Sequence, residues 1–266
     1  MQRTQIQERR GELKRMVDFT LKKYGQLCQS ILDTGYKPMT VCTYLSERPS
    51  DEKICILRHD VDRKIINALR MAELEECAGI RSTYYFRYPY TFNPDLILNI
   101  ASMGHEIGYH YETLAKARGD HRLAVRLFQE ELTQFRAIAE IKTICMHGSP
   151  LSRYDNRDLW KVYDFREFEI AGEAYLSMAG NGLRYLTDTG RNWAGRHSLR
   201  DSMPDVDPAP VETTDDLIRW IGSAGADELY MTVHPERWAA SDGEWIINSS
   251  KDVMINLGKN ILKMVQ

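Results

Sequence analysis

Ile54-Cys55-Ile56-Leu57-Arg58-His59-Asp60-Val61-Asp62 passes from an apolar run into a polar cluster of two carboxylates and an imidazole. Ile54 to Leu57 reads as a buried strand. If the chain stays extended past Leu57, Asp60 and Asp62 project to the same side, because side chains alternate along a strand. Two carboxylates on one face repel each other unless a cation or a proton lies between them, which points to a metal. The plain alternative is that Asp62 caps a helix starting near Arg63.

Outward from this stretch, strand and helix patterns alternate. On the N-terminal side, residues from about Gly11 to Asp33 carry apolar residues at three- and four-residue spacing, an amphipathic helix with Gly35 as its C-cap. Met39 to Leu45 reads as a weak strand or irregular link, and Ser46 to Lys53 as a turn. On the C-terminal side the pattern predicts helices over Ile65–Ala78, Pro94–Met103, Glu112–Ala139 (broken near Gly119), Asp155–Tyr163, Thr214–Ile221 and Trp245–Val265. It predicts strands over Ser82–Arg87, His105–Tyr109, Ile141–Met146, Phe168–Ala171, Leu183–Thr187 and Leu229–Val233. Ser202 to Pro210 reads as a long loop. Such alternation implies parallel pairing with right-handed crossovers. The expected fold is α/β: a distorted (β/α) barrel of six or seven mainly parallel strands with an added N-terminal helix. Residues 1–266 are expected to form a single domain, 1–50 being a helical extension packed on the barrel.

The chain has 266 residues, 43% hydrophobic and 27% charged, as in ordinary globular proteins. A net charge of −3 and a pI near 6.2 leave no basic excess for nucleic acid. Met1 to Arg15 does not read as a secretory signal, and no apolar run is long enough to cross a bilayer. The five cysteines are scattered, with Cys55 and Cys145 inside apolar runs where a thiol acts as a small hydrophobe. A reduced, cytoplasmic protein is expected. No GxGxxG or GxxxxGK[ST] loop is present.

The polar residues fall in a pattern. Asp60 and Asp62 follow one strand, His110 the next but one, His147 follows Met146, Asp188 follows Thr187, and His234 follows Val233. In a parallel barrel all these strand ends gather at the C-terminal rim, where active sites are built. Each has a structural alternative. His110 could cap a helix, His147 and Asp188 could be turn residues, and His234 could be held extended by Pro235. The joint pattern carries the functional reading. His59 and His105 read as structural, since alternation turns them away.

These residues resemble the polysaccharide deacetylase family (carbohydrate esterase family 4) from about Tyr24 to the C-terminus. Arg58-His59-Asp60-Val61-Asp62 stands where the family presents two adjacent aspartates. Gly104-His105-Glu106-Ile107-Gly108-Tyr109-His110 is similar to its second motif. Ser82-Thr83-Tyr84-Tyr85-Phe86 looks like its second strand. Met146-His147-Gly148-Ser149-Pro150 falls at its arginine–proline motif, and Met231-Thr232-Val233-His234-Pro235 resembles its terminal motif. Two departures stand out: Leu114 occupies the place of a second histidine, and His147 that of an arginine. One hypothesis joins them, with His147 supplying the missing imidazole of an Asp62/His110/His147 site. Three N/O ligands with an open position suit a catalytic divalent metal, zinc foremost, other transition metals remaining open.

The resemblance implies a metal-dependent N-deacetylase of the divergent cytoplasmic type linked to surface-polysaccharide or O-antigen assembly. Asp60 would be the base and His234 the acid, with Asp188 orienting His234. The substrate would be a small-molecule or lipid-linked N-acetyl sugar. Ser149 and Arg153 on one lip, and Arg191, Trp193 and Arg196 on another, are candidate substrate contacts. Two alternatives stand beside this reading: a degenerate carbohydrate-binding or scaffold protein of the same fold, and an amidohydrolase acting on a small non-sugar amide.

Overall fold

A computed structural model of the protein describes residues 17–49, 53–149, 152–194, 203, 211–224 and 226–250. Among them eight strands pair, all in parallel: Lys37–Met39 (β1), Ile54–Val61 (β2), Thr83–Phe86 (β3), Glu106–Tyr111 (β4), Thr143–Met146 (β5), Gly172–Glu173 (β6), Arg184–Thr187 (β7) and Glu228–Val233 (β8). Their order is β6-β5-β4-β3-β2-β8-β7, with β1 paired to the start of β2. The sheet curls into a distorted (β/α) barrel whose two ends, β6 and β7, are not paired with each other. Tyrosines cross that gap. The Tyr230 hydroxyl of β8 donates to the Ala174 carbonyl at 2.6 Å, and the Tyr175 ring packs 6.3 Å from that of Tyr185.

Alternation along β2 divides the core in two. Ile54, Ile56, Arg58 and Asp60 share the barrel side, while Cys55 and Leu57 join a cluster with Leu27, Ile31, Leu217 and Trp238 beneath the outer helices. Every residue of β2 is buried, so the strand is the spine of the molecule.

Several boundaries differ from the sequence expectation. The first helix runs Leu21–Asp33, because Thr20 caps it by accepting from the Lys23 N–H at 3.2 Å and Phe19 has φ 56°; residues 11–16 lie outside the described residues. Instead of a weak strand, β1 is followed by a helix over Val41–Glu47, capped by Thr40. The long helix after β4 is two, Thr113–Lys116 and His121–Arg136, separated at Gly119 with φ 89°. Asn156–Lys161 is a 3-10 helix, and Phe165–Phe168 is another, so the sixth strand starts only at Gly172. Residues 242–250 are helical; the rest of the stretch expected to form the closing helix, Arg196, and the stretch at 202–210 expected to be a loop (203 apart) lie outside the described residues.

Candidate active site

β4 extends through His110 to Tyr111, so His110 leaves the strand itself rather than the loop after it. It pairs with Cys145 of β5 in register. His147 follows β5 by one residue, its N–H bonded to the Tyr111 carbonyl at 2.8 Å. Asp62 follows β2 by one residue, and its position is fixed from the β3 loop. The Thr91 hydroxyl donates to the Val61 carbonyl at 2.9 Å, and Arg87 donates to the Asp62 carbonyl at 3.3 Å. The helix after β2 is capped at Lys64, so Asp62 does not cap it.

These three chain positions meet. His110 Nε2 lies 3.3 Å and His147 Nε2 3.4 Å from the same oxygen, Asp62 Oδ1. The two rings are 5.3 Å apart and nearly perpendicular. The far nitrogens are committed. His110 Nδ1 is 3.0 Å from the Cys145 carbonyl, which can only accept, so Nδ1 carries the proton. His147 Nδ1 sits 2.9 Å from Glu112 Oε2 and 3.1 Å from Ser149 Oγ. In the neutral rings both Nε2 lone pairs therefore face an Asp62 oxygen that is buried and has no hydrogen-bond donor. Three acceptors gathered around Asp62 Oδ1 are unfavourable unless a cation or a proton lies between them. A tetrahedral site with bonds of about 2.0–2.1 Å spaces its ligand atoms about 3.3–3.4 Å apart; the two edges at Asp62 Oδ1 have that length, whereas the edge between the two Nε2 atoms is longer than 4.8 Å. The donor types, two imidazole nitrogens and a carboxylate oxygen, suit a divalent metal.

When the rings are protonated the balance changes: burial alone would raise the Asp62 carboxyl, but the His147, His110 and His234 imidazolium charges hold it well below the usual carboxylate range. Glu112 is likewise pushed up by burial and then brought down to about 2 by His147 and by Arg87, which donates to both its oxygens at 2.9 Å.

Asp60 has a different neighbour. Arg58, two residues back on the same face of β2, donates to Asp60 Oδ1 at 2.9 Å and Oδ2 at 3.2 Å, and to Thr232 at 2.8 Å. The guanidinium is wholly buried, touches the Cys145 thiol, and lies 4.4 Å from the Tyr175 ring and 5.4 Å from that of Tyr230. Burial opposes its charge, yet Asp60 raises its pKa well above the ordinary value. Asp60, His110 and Cys145 form a second set of donors, all within 4.8 Å of one another. Arg58 already brings a positive charge to Asp60 and Cys145, so this set disfavours a metal ion.

His234 follows β8. Its Nδ1 is 2.6 Å from Asp188 Oδ1, while the His234 N–H and the Trp238 indole N–H donate to Asp188 Oδ2 at 3.0 and 2.8 Å. Asp188 is fully buried and holds the imidazole through Nδ1, which makes Nε2 the nitrogen for proton exchange.

The remaining candidates scatter. Ser149 supports His147. Arg153 is exposed and donates to its neighbour Tyr154 at 2.7 Å. Arg191 bonds Ser249 at 3.0 Å and the Arg237 carbonyl, a role in holding the chain rather than a lip. Trp193 is a correction: it is 2% exposed, packed on Phe19 and Trp238, and offers no stacking face. Cys145 is another, since it lies against Arg58 and 3.7 Å from each Asp60 oxygen rather than in an apolar shell alone. Leu114 is 1% exposed within the core, so the place four residues after His110 does not reach the site.

Three residues at the site were not expected from the sequence: Arg58, Glu112 and Glu236. Arg58 shares the parity of Asp60 and was findable by alternation; Glu112 had no signal beyond its nearness to His110. Glu236 is buried, with Oε2 unpartnered, and is pushed up to about 7 by burial and by Asp62.

No family model matches the chain, and no curated protein matches it. Among solved structures, a CE4 family pseudoenzyme from Bacillus anthracis is similar at 13% identity and a TM-score of 0.46, over 79% of this chain and 63% of that one. A mutant of a CE4 family pseudoenzyme with restored enzymatic activity is similar at 12% identity and a TM-score of 0.46, over 80% and 65%. A family 4 carbohydrate esterase from Bacillus anthracis is similar at 10% identity and a TM-score of 0.42, over 86% and 84%. The chain thus spans less than two thirds of the length of the first two. The functional reading rests on this chain's own residues.

Proposed function

We propose that the protein is a divalent-metal-dependent hydrolase that removes an N-acyl group, acetyl foremost, from an amino sugar. One observation carries this reading: two imidazole lone pairs and an unpartnered carboxylate oxygen converge at 3.3 and 3.4 Å on the barrel rim, beside a second carboxylate that is not part of the cluster. Asp62, His110 and His147 would hold the metal. When bound, it supplies Lewis acidity toward an acyl carbonyl and toward water.

The chain's own residues do the rest. Asp60 accepts the proton of the attacking water, its carboxylate held by Arg58. As the carbonyl carbon–nitrogen bond breaks, His234 delivers a proton from Nε2 to the departing amine. Asp188 keeps Nδ1 protonated and stabilises the imidazolium. One amide and one water become one carboxylate and one protonated amine, and the proton taken up by Asp60 returns through solvent to restore His234. Glu112 and the Cys145 carbonyl orient the two metal-binding rings through Nδ1.

Among the described residues no helix is long and apolar enough to cross a membrane. We place the substrate among N-acetyl sugar intermediates of surface-polysaccharide assembly and favour zinc. Acetate release from N-acetylglucosamine and its derivatives, assayed with and without chelation and metal restoration, tests the reading. Metal-restored activity supports it. Stoichiometric metal without release from any N-acyl sugar would contradict it.

A further inference from the structure

The segments that follow β4 and β5 carry a concentration of positive charge. Residues 116–126 hold Lys116, Arg118, Arg122 and Arg126 against a single acid, Asp120, in a chain whose net charge is −3. Asp120 is occupied in capping the helix His121–Arg136, where it accepts from the Arg122 and Leu123 N–H groups at 2.9 and 3.0 Å, and Lys116 pairs with Glu131 at 2.9 Å. Arg118, Arg122, Arg126 and, after β5, Arg153 are exposed, and among the described residues no carboxylate pairs with any of them. Arg122 and Arg126 stand one helical turn apart, a spacing at which like charges repel. Tyr154 gathers part of this set. Its ring lies on Gly119, where an added Cβ would come within 2.3 Å of it. The Arg153 guanidinium is stacked 4.9 Å from the same ring and donates to its hydroxyl at 2.7 Å. Arg153 is thereby brought beside the turn that joins Arg118 to Arg122.

One side chain ties these arginines to the chemistry. Asn156 donates to the His147 carbonyl at 2.7 Å and accepts from the Ala115 N–H at 2.9 Å. It fastens the loop presenting Arg153 to the short helix Thr113–Lys116, which starts directly after Glu112, the carboxylate that orients His147. Arg153 is three residues from Asn156, at most about 11 Å of chain. An anionic extension of a ligand held at His147 therefore meets these arginines.

We propose that Arg118, Arg122 and Arg153 bind the phosphate groups of a substrate whose N-acyl sugar is carried on a diphosphate, an inference that rests on the deacetylase reading for the sugar and goes beyond it in assigning the carrier. Phosphate oxygens take a guanidinium bidentately, and arginine is the residue suited to that geometry. A neutral oligosaccharide would leave the three charges uncompensated. The acidic balance of the chain as a whole disfavours a long polyanion such as nucleic acid, so a small anion fits the patch better.

Calorimetry in the slowed Asp60→Asn background tests the site. The probes are N-acetylglucosamine, its uridine diphosphate conjugate and its farnesyl diphosphate conjugate. At least one conjugate is expected to bind about 10–100-fold more tightly than the free sugar, as one or two charge-assisted contacts provide, and the gain should shrink at high salt. In the triple variant Arg118→Gln, Arg122→Gln, Arg153→Gln the ratio of conjugate to free-sugar affinity should fall to near one. Arg219→Gln, which removes an exposed arginine of the helix Thr214–Ala224, should keep it. Whichever conjugate binds more tightly names the carrier. Equal affinity for the free sugar and both conjugates overturns the site. So does a ratio indifferent to the triple variant, or one lowered as much by Arg219→Gln. Uridine diphosphate glucose, which has no acyl group, separates the two readings. If its binding depends on the three arginines while the wild-type chain releases no acetate from any N-acetyl sugar, the phosphate site stands and the deacetylase falls; acetate release with no preference for either conjugate does the reverse.

Discussion

Arg58 and Asp60 lie two residues apart on one face of β2, and their pairing separates two carboxylates that look equivalent in the sequence. Asp60 receives hydrogen bonds at both oxygens from a buried guanidinium, with the Cys145 thiol 3.7 Å from each, whereas the Oδ1 of Asp62 has no hydrogen-bond partner. Asp60 is thus suited to proton transfer and Asp62 to a cation. Replacing Asp60 with Asn should leave metal content unchanged and lower turnover by about 10²–10⁴-fold, read by elemental analysis beside acetate release. Glu112→Gln should do the opposite, weakening metal affinity by about 10–100-fold through the loosened His147 ring, measured by competition with a chelating dye. The positions of the rim histidines were legible because each ends a strand. The division of labour was not, because alternation puts Arg58 on the face of Asp60 but does not say that its guanidinium is buried there as the partner of that carboxylate.

Between elements, the sheet is held by close approaches and by one buried carboxylate. Gly108 of β4 leaves no room for a side chain: an added Cβ would lie 2.3 Å from the Tyr85 ring and 3.1 Å from the Thr143 carbonyl. Gly108→Ala should cost about 1–3 kcal/mol in denaturant unfolding, because β3 and β5 cannot both yield. On the helix side of the sheet, Glu75 gathers His59 at 2.7 Å, Ser82 at 2.6 Å, Tyr84 at 2.8 Å and the Tyr24 hydroxyl. Burial raises its carboxyl, but His59 and then His105 and Ser82 bring it to about 2, below the ordinary 4.5. A depressed folded value stabilises the protein fully above about pH 4.5 and loses that stability as the pH falls toward 2. The contribution is about 3 kcal/mol, and Glu75→Gln should flatten the fall in urea midpoint between pH 5 and 3. His59, on the face of β2 opposite Asp60, and His105, just before β4, both join this network.

At the scale of the whole molecule, alternation of apolar runs and helical periods was enough to specify a parallel, curled α/β sheet, because buried parallel strands leave that record. Element ends were less legible. Thr20 caps a helix whose apolar spacing continues upstream of it, Thr40 caps one that no periodicity marks, and Gly172–Glu173 pairs with β5 over two residues only. Trp193 looked available to a ligand, yet tertiary packing on Phe19 and Trp238 buries it. What unites the fold is that β2, β4 and β5 bring Asp62, His110 and His147 side by side on one rim. The most direct test is metal content by mass spectrometry of the purified chain, compared with its His147→Ala variant. One divalent ion per wild-type chain, lost in His147→Ala while the circular dichroism spectrum is retained, is the expected result. A wild-type chain that takes up no divalent ion, or a variant that keeps a full equivalent, would contradict the shared site.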